Sequence, residues 1–313
     1  MIHEYLPTQA ELAYTFAGRD PVGEIKPGQV WQIWTEDCFN GAVTSVDTLP
    51  TAVCQFPFLN PVTGPFHVDA AEPGDILAVH FAAMRPARDW GVSSTFPHFG
   101  ALTSTHATAT LQPALEERVW LYHLDPDAEV VNYQARNSDF TLAMPMAPML
   151  GTVGVAPAGS EVRSTITAGA HGGNMDTPEL RAGTTLYLPV AVPGALLGLG
   201  DGHARQGHGE ASGVAVETAM HTTLAVDVIK NTPLATPRLE SRTAIMSVGL
   251  ARPLEDAYQL VAQAGQASIG NVCDPNYCVV AKLPKPCLPN RDVYGAVHKG
   301  LEDLTARALS EGT

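Results

Sequence analysis

The chain has 313 residues, 45% of them hydrophobic and 16% charged, a composition that buries a sizeable core and excludes a disordered polymer. Its formal net charge is −14 with no lysine- or arginine-rich run, which excludes a basic footprint for nucleic acid and makes an anionic membrane surface repulsive. No stretch approaches about 18 uninterrupted apolar residues, so nothing reads as a membrane span, and five cysteines in a chain this long do not read as a disulfide framework.

The first 20 residues have neither the basic start nor the long apolar centre of a secretion signal, so a soluble, cytoplasmic protein is expected, with this segment packed as an arm or leading strand. Lys26-Pro27-Gly28 is a turn, and Gln29–Trp34 alternates as a half-buried strand does. It runs into Thr35–Gly41, where Glu36 and Asp37 stand at a strand end, the place where sites are commonly built. Cys38 and Cys54 raise the idea of a thiol nucleophile, but no base or cation stands beside either in sequence, so both read as buried small apolar side chains. Turns at Asn60-Pro61 and Thr63-Gly64-Pro65 precede a strand at Phe66–Val68. The turn Glu72–Asp75 precedes a buried strand at Ile76–Met84, and His67 and His80 read as packed strand histidines. Arg85–Gly100 reads as a loop carrying Trp90, Phe96, His98 and Phe99. Strands follow at Leu102–Leu111 and Arg118–Leu124, and Met144–Gly159, rich in methionine, proline and glycine, reads as a loop.

His171-Gly172-Gly173-Asn174-Met175-Asp176 offers an imidazole, an amide and a carboxylate beside paired glycines that permit close backbone approach. Leu186–Val192 is a strand, and the apolar run Ala195–Leu199 a buried one that opens into a glycine-dense stretch bearing Asp201, His203, Gln206, His208 and Glu210. Asp201 and His203 are two apart, as are His208 and Glu210, so in extended segments each pair shares a face. Val214–Lys230 alternates as a long strand or hairpin arm, within which Glu217 and His221 are not paired. Ala244–Leu250 and Val279–Leu283 are strands, Pro253–Ala267 has helical spacing, and Arg291–Ser310 is a terminal amphipathic helix. Cys273 and Cys278 have the wrong spacing for a zinc ribbon, and Cys287 does not rescue it. No fixed repeat is present. The fold class is mainly β with an inserted or C-terminal α+β subdomain, divided into a β-rich part at 1–155, a motif-bearing β-rich part at 156–235 and a C-terminal α+β part at 236–313 that together form one compact unit.

Neither a Gly-x-Ser-x-Gly elbow nor a Ser-x-x-Lys pair is present, so serine chemistry is hard to place. The polar residues concentrated in two stretches suit a divalent metal, zinc first and calcium second, held by some of Asp37, His171, Asp176, Asp201 and His203. Glu210 is the candidate general base, with Asn174 or Gln206 as candidate hydrogen-bond donors.

GDGHARQGHGE at Gly200–Glu210, HGGNMDTPEL at His171–Leu180 and NPVTGPFHVDAAEPGDIL at Asn60–Leu77 resemble the acetamidase/formamidase family of amide hydrolases, a likeness that extends from about Glu24 to the last helix. The resemblance implies a β-sandwich with an α+β subdomain, metal-dependent hydrolysis of a small neutral amide, and a homo-oligomer, a dimer being the simplest. It implies that the Met144–Gly159 loop crosses the core, and that Trp90, Phe96 and Phe99 lie on a loop lining the substrate pocket, unlike the commoner short-amide members. The alternatives are a γ-lactam hydrolase of the same family and a non-catalytic metal-binding β-sandwich. Two departures stand out. Asn60 replaces the family's more frequent histidine, which removes a polar contact near the site, and His208 replaces the aspartate of Gln-Gly-Asp-Gly-Glu, making it a substitute ligand or a cationic neighbour of Glu210.

Overall fold

Alternation along one strand sets the layering. In Ile76–Pro86, Leu77, Val79 and Phe81 point into the largest apolar cluster, while Ile76 and Ala78 point to a separate cluster on the opposite face. In this computed structural model, which describes residues 1–101, 114–251, 266–271, 277–285 and 293–311, that strand lies inside a nine-stranded sheet. Its order is Ile2–Tyr5, Val30–Thr35, Met220–Ile229, Ile76–Pro86, Thr184–Pro189, Arg238–Glu240, Ala244–Ala251, Tyr277–Pro284 and Gln266–Asn271. The pairing is antiparallel except between the first two.

A second sheet, of eleven strands, runs Thr141–Pro145, Val130–Gln134, Arg118–Asp125, Trp90–Thr95, Val216–Glu217, Leu197–Arg205, Met149–Gly154 and Gly172–Asn174. Val62–Val68 joins it along Leu197–Arg205 and carries Leu12–Ala13 and Gly23–Ile25 on its other side. The two sheets share one core: Ile33, Phe81, Leu186 and Leu224 from the first meet Phe66, Leu150, Leu197 and Leu199 from the second, all fully buried. This is the sandwich that the resemblance implies, built from the strands that the alternation predicts. The helix Val297–Glu311 covers the outer face of the nine-stranded sheet, burying His298, Leu301, Thr305 and Ala308 at helical spacing. The Thr185 hydroxyl ties it down, bonding His298 Nδ1 at 2.8 Å and His80 Nδ1 at 2.9 Å. Among the described residues no helix is long and apolar enough to cross a membrane.

Four local expectations change. Arg85–Gly100 is not a loop throughout, because Trp90–Thr95 forms a strand paired with Arg118–Asp125. Met144–Gly159 contains the strand Met149–Gly154, buried at every position; its glycines, methionines and flanking prolines hide the β signal. Ala195–Leu199 and the glycine-dense stretch are one strand, Leu197–Arg205, so Asp201 and His203 stand inside a sheet. Val214–Lys230 is two strands in different sheets, Val216–Glu217 and Met220–Ile229. The strand expected at Leu102–Leu111, most of the Pro253–Ala267 helix, Cys273 and Cys287 lie outside the described residues. Strands from each of the three sequence parts, Ile76–Pro86, Met220–Ile229 and Ala244–Ala251, share the nine-stranded sheet.

Phe66 is fully buried between the sheets and meets Tyr5 edge-on at 5.0 Å. Phe66→Ala should lower unfolding stability by about 3–5 kcal/mol in urea denaturation. A loss below about 1 kcal/mol would contradict the shared inter-sheet core.

Candidate active site

Strand Leu197–Arg205 carries the centre. It pairs with Met149–Gly154 on one side, and on the other with Val62–Val68 and then Val216–Glu217. Register places His203 directly opposite Glu217, and Thr152 opposite Asn174. Asp201 has φ of 60°, where non-glycine residues are uncommon. Its N–H leaves the ladder and donates to the Glu36 carbonyl at 3.2 Å. Asp176 (φ 42°), Glu210 (φ 42°) and Asn60 (φ 51°) are also left-handed. Backbone strain of this kind costs about 1–3 kcal/mol per residue and gathers where side chains must be aimed.

Gly151 makes the approach possible. It lies level with Asp201 on the neighbouring strand, and a Cβ there would overlap Asp176 Oδ1, Asp201 Oδ2 and the His203 ring. Asp201, Asp176 and His203 can therefore converge over bare backbone. His203 Nε2 is 3.3 Å from Asp201 Oδ1 and 3.3 Å from Glu217 Oε2, while its Nδ1 is 2.9 Å from Gln206 Oε1. Gln206 Nε2 donates to the carbonyls of Asp176, at 2.5 Å, and Gly270. Its amide is spent orienting His203 and bridging backbone, so it is not free to be the donor the sequence suggested. Because an amide oxygen accepts, Nδ1 of His203 carries the proton. Nε2 then faces two carboxylates, which requires a proton or a cation at that point.

The electrostatics follow from burial. Burial raises the Glu217 carboxyl, His203 opposes the rise and Asp201 adds to it, leaving Glu217 at about 7. Burial likewise pushes Asp37 up to about 6, against backbone N–H bonds from Gly41 and Phe39. At Asp201 burial is outweighed by the His203 charge and by its hydrogen bonds, so its carboxyl lies below the ordinary value. At His203 burial is outweighed by Glu217 and Asp201, which hold the imidazolium well above the ordinary range. Cys38 lies beside Asp201 and Glu217; burial and then these anions hold its thiol protonated, as expected of a cysteine that is no nucleophile.

Of the predicted residues, Asn174, Asp176, Asp201 and Glu210 line one cavity of about 410 Å³, together with Phe96 and Phe99. Asp176, His203 and Glu210 offer ligand atoms within 4.8 Å of one another, and so do Cys38, Asp201 and Glu217. A tetrahedral cation with bonds of about 2 Å separates its ligands by about 3.3 Å. That matches the spacing around His203 Nε2, and Asp201 Oδ1, His203 Nε2 and Glu217 Oε2 are buried with no hydrogen-bond partner. The donor set fits a divalent metal.

Asp37 stands behind this cluster, its Oδ2 3.3 Å from Arg88 Nη1, while Arg88 Nη2 pairs with Glu36. His171 does not join it. Its ring lies edge-on to Phe16 at 5.1 Å and lines a different cavity with Arg163, and burial, then Arg163, lower its pKa to about 4. His208 is exposed and belongs to neither ligand group. Trp90 is outside the cavity as well: the Arg88 guanidinium stacks 4.4 Å above its ring, and its surface lines a cleft with Tyr122 and Tyr133. Asn60, expected to remove a polar contact, makes two. Its Nδ2 donates to Asp201 Oδ2 at 2.9 Å and to Asn174 Oδ1 at 3.2 Å, beside the Thr152 hydroxyl, which donates to both acceptors. Glu217 and Arg88 were not expected at the site. The first sits in an ordinary alternating stretch and the second is 52 residues from Glu36, so neither carries a local signal.

The sequence profile of the acetamidase/formamidase family matches residues 19–160 and 134–261. The chain belongs to that family. An acetamidase from Yersinia enterocolitica is 38% identical and superposes with a TM-score of 0.81, covering 93% of this chain and 94% of that one. The acetamidase of Mycolicibacterium smegmatis is 25% identical over 260 residues, 66% of this chain and 63% of its own length. The chain spans 52% to 63% of the length of the curated relatives it matches. A γ-lactamase from Delftia acidovorans, 18% identical with a TM-score of 0.62 over 90% of each chain, shares the fold of this acetamidase/formamidase family member.

Because the folded Glu217 carboxyl is raised from 4.5 to about 7, its contribution to stability is greatest below pH 4.5 and is lost as pH rises to about 7. With chelator present, Glu217→Gln should therefore gain stability relative to wild type across that interval and no further above it. A difference independent of pH in urea titrations at pH 4.5, 6 and 8 would contradict the buried, proton-retaining carboxyl.

Proposed function

We propose that the 410 Å³ cavity is the active site of a metal-dependent amidase that hydrolyses a neutral primary amide to a carboxylic acid and ammonia. The observation that carries this reading is the buried set Asp176, Asp201, Glu210 and Glu217 gathered around His203 at the floor of the cavity, in a member of an amide-hydrolase family. Asp201, His203 and Glu217 supply the unpartnered ligand atoms, and Asp176 completes the set. A divalent cation bound to these residues would supply a water with its pKa lowered to about 7 and a Lewis acid for the carbonyl oxygen. Zinc suits the imidazole and the adjacent Cys38 thiol, whereas calcium would use the carboxylates alone.

Glu210 lines the cavity beside Asp176 and His203 and acts as the general base. It takes a proton from the attacking water as the new C–O bond forms, then passes it to the nitrogen as the C–N bond breaks. Asn174 lines the same wall, its amide oriented by Thr152 and Asn60 donating to Oδ1, and its N–H donates to the developing oxyanion. Asp37, Arg88 and Gln206 position these groups from behind. The net charge of −14 and the acidic floor both suit a neutral substrate over an anionic one.

Glu210→Gln should cut kcat for ammonia release from acetamide about 100-fold or more while metal content, read by elemental analysis, is retained. Turnover at the wild-type rate would remove Glu210 from the base role. A non-catalytic metal-binding module would instead show no amide turnover in the wild type. Gly151→Ala should lower activity about 100-fold through displacement of Asp176 and Asp201, with thermal unfolding still cooperative. Activity unchanged in that variant would mean these carboxylates do not act at the reacting centre.

A further inference from the structure

The amide centre occupies only one end of its cavity. Asp176, Asp201 and Glu217 on the floor are 1% exposed, whereas Phe56, which lines the same cavity, is 74% exposed and so stands at its mouth. Between floor and mouth the walls are apolar and mostly aromatic: Phe39, Leu59, Phe96, Phe99 and Ile166. Phe96 and Phe99 meet edge-on at 6.1 Å, and Phe39 is packed into the apolar cluster beneath them. A Cβ at Gly213 would overlap the Phe99 ring, so the backbone there makes room for this phenylalanine.

Size and chemistry disagree with a minimal amide. Acetamide has a handful of non-hydrogen atoms, while about 410 Å³ falls within the range of pockets that enclose drug-sized ligands and corresponds to roughly a dozen waters. A small amide on the floor would leave those waters against phenylalanine rings, giving up the burial that binding can use. An apolar arm pointing from the amide carbon toward the mouth would displace them. Flat rings meeting edge-on favour an aromatic arm over a branched aliphatic one. The arm cannot be anionic, because the carboxylate floor repels it, and the described walls offer no cation to pair with it.

We propose that the preferred substrate is a neutral primary amide bearing an aryl or arylalkyl arm, with the amide on the carboxylate floor and the ring between Phe56, Phe96 and Phe99. This rests on the amidase reading above. Specificity then comes from the phenylalanine walls, and Phe96 and Phe56 are specificity-determining residues that do not touch the reacting atoms.

The test compares kcat/KM for acetamide, phenylacetamide and 3-phenylpropionamide, followed by ammonia release with the metal-loaded protein. Phenylacetamide or its homologue should exceed acetamide at least about 10-fold. In Phe96→Ala, and separately in the solvent-facing variant Phe56→Ala, that ratio should fall several-fold or more, through a raised KM for the aryl amide with kcat nearly held. Acetamide turnover equal to or better than both aryl amides would overturn the aryl preference and leave the amidase reading standing. Silence toward all three would remove the amidase reading and this inference with it. An aryl preference that survives both phenylalanine variants would overturn the placement of the ring.

Discussion

Charges of like sign buried side by side are the constraint on which the molecule turns. Asp176, Asp201, Glu210 and Glu217 lie together out of water, with Glu36 and Asp37 close behind. Moving one such group from water costs several kcal/mol, and each neighbour of the same sign adds to it. His203 offsets part of that cost at Nε2, and Arg88 offsets part behind the cluster by bridging Glu36 and Asp37. What remains is expressed as a raised proton affinity at Glu217 and Asp37. Such a centre holds its protons tightly, and Asp176, Asp201 and Glu210 are aimed into it from left-handed backbone.

The sandwich supplies the rigidity for this. Leu197–Arg205 carries Leu197 and Leu199 into the inter-sheet core and Asp201 to the cavity, with the His203 ring beside it, within a single strand. Its neighbours are fixed by hydrogen-bond register, so the His203–Glu217 and Thr152–Asn174 oppositions are set by the ladder itself. The chain then passes from Val216–Glu217 in one sheet to Met220–Ile229 in the other within two residues, which anchors Glu217 to the centre of both layers. The terminal helix seals the far face and takes no part in the cavity.

Much of this was legible in the sequence, and the gaps have physical reasons. Strands such as Val30–Thr35, Ile76–Pro86 and Arg118–Asp125 were readable because one or both faces are buried and the side chains say so. The acid- and imidazole-bearing motifs were readable because glycine makes room for them, and Asp176, Asp201, His203 and Glu210 do converge. His171 shares a motif with Asp176 but leaves the chain in another direction, toward Arg163. Glu217 was invisible because its importance is a cross-strand fact: it acquires meaning only when His203 is placed opposite. Asn60 was read as a lost contact because a substitution says what is absent and not which donors the new side chain finds. Trp90 was grouped with Phe96 and Phe99 because the resemblance implies one pocket-lining loop, yet Trp90 begins the strand Trp90–Thr95 and its ring lies under Arg88.

The wide sequence spacing of the centre has a kinetic meaning. Asn60 and Asp201 are 141 positions apart, and Asn60 and Asn174 are 114 apart. Contacts of such long range form late, because the loops they close must first lose their freedom. A nascent chain ending before Glu217 has most of the first sheet's partners still to come and lacks one wall of the acidic cluster. Until the sheets close, those carboxylates remain hydrated and repel one another weakly; closure itself concentrates the charge. The electrostatic penalty therefore belongs to the closed scaffold, because the charge is concentrated only where the sheets have met.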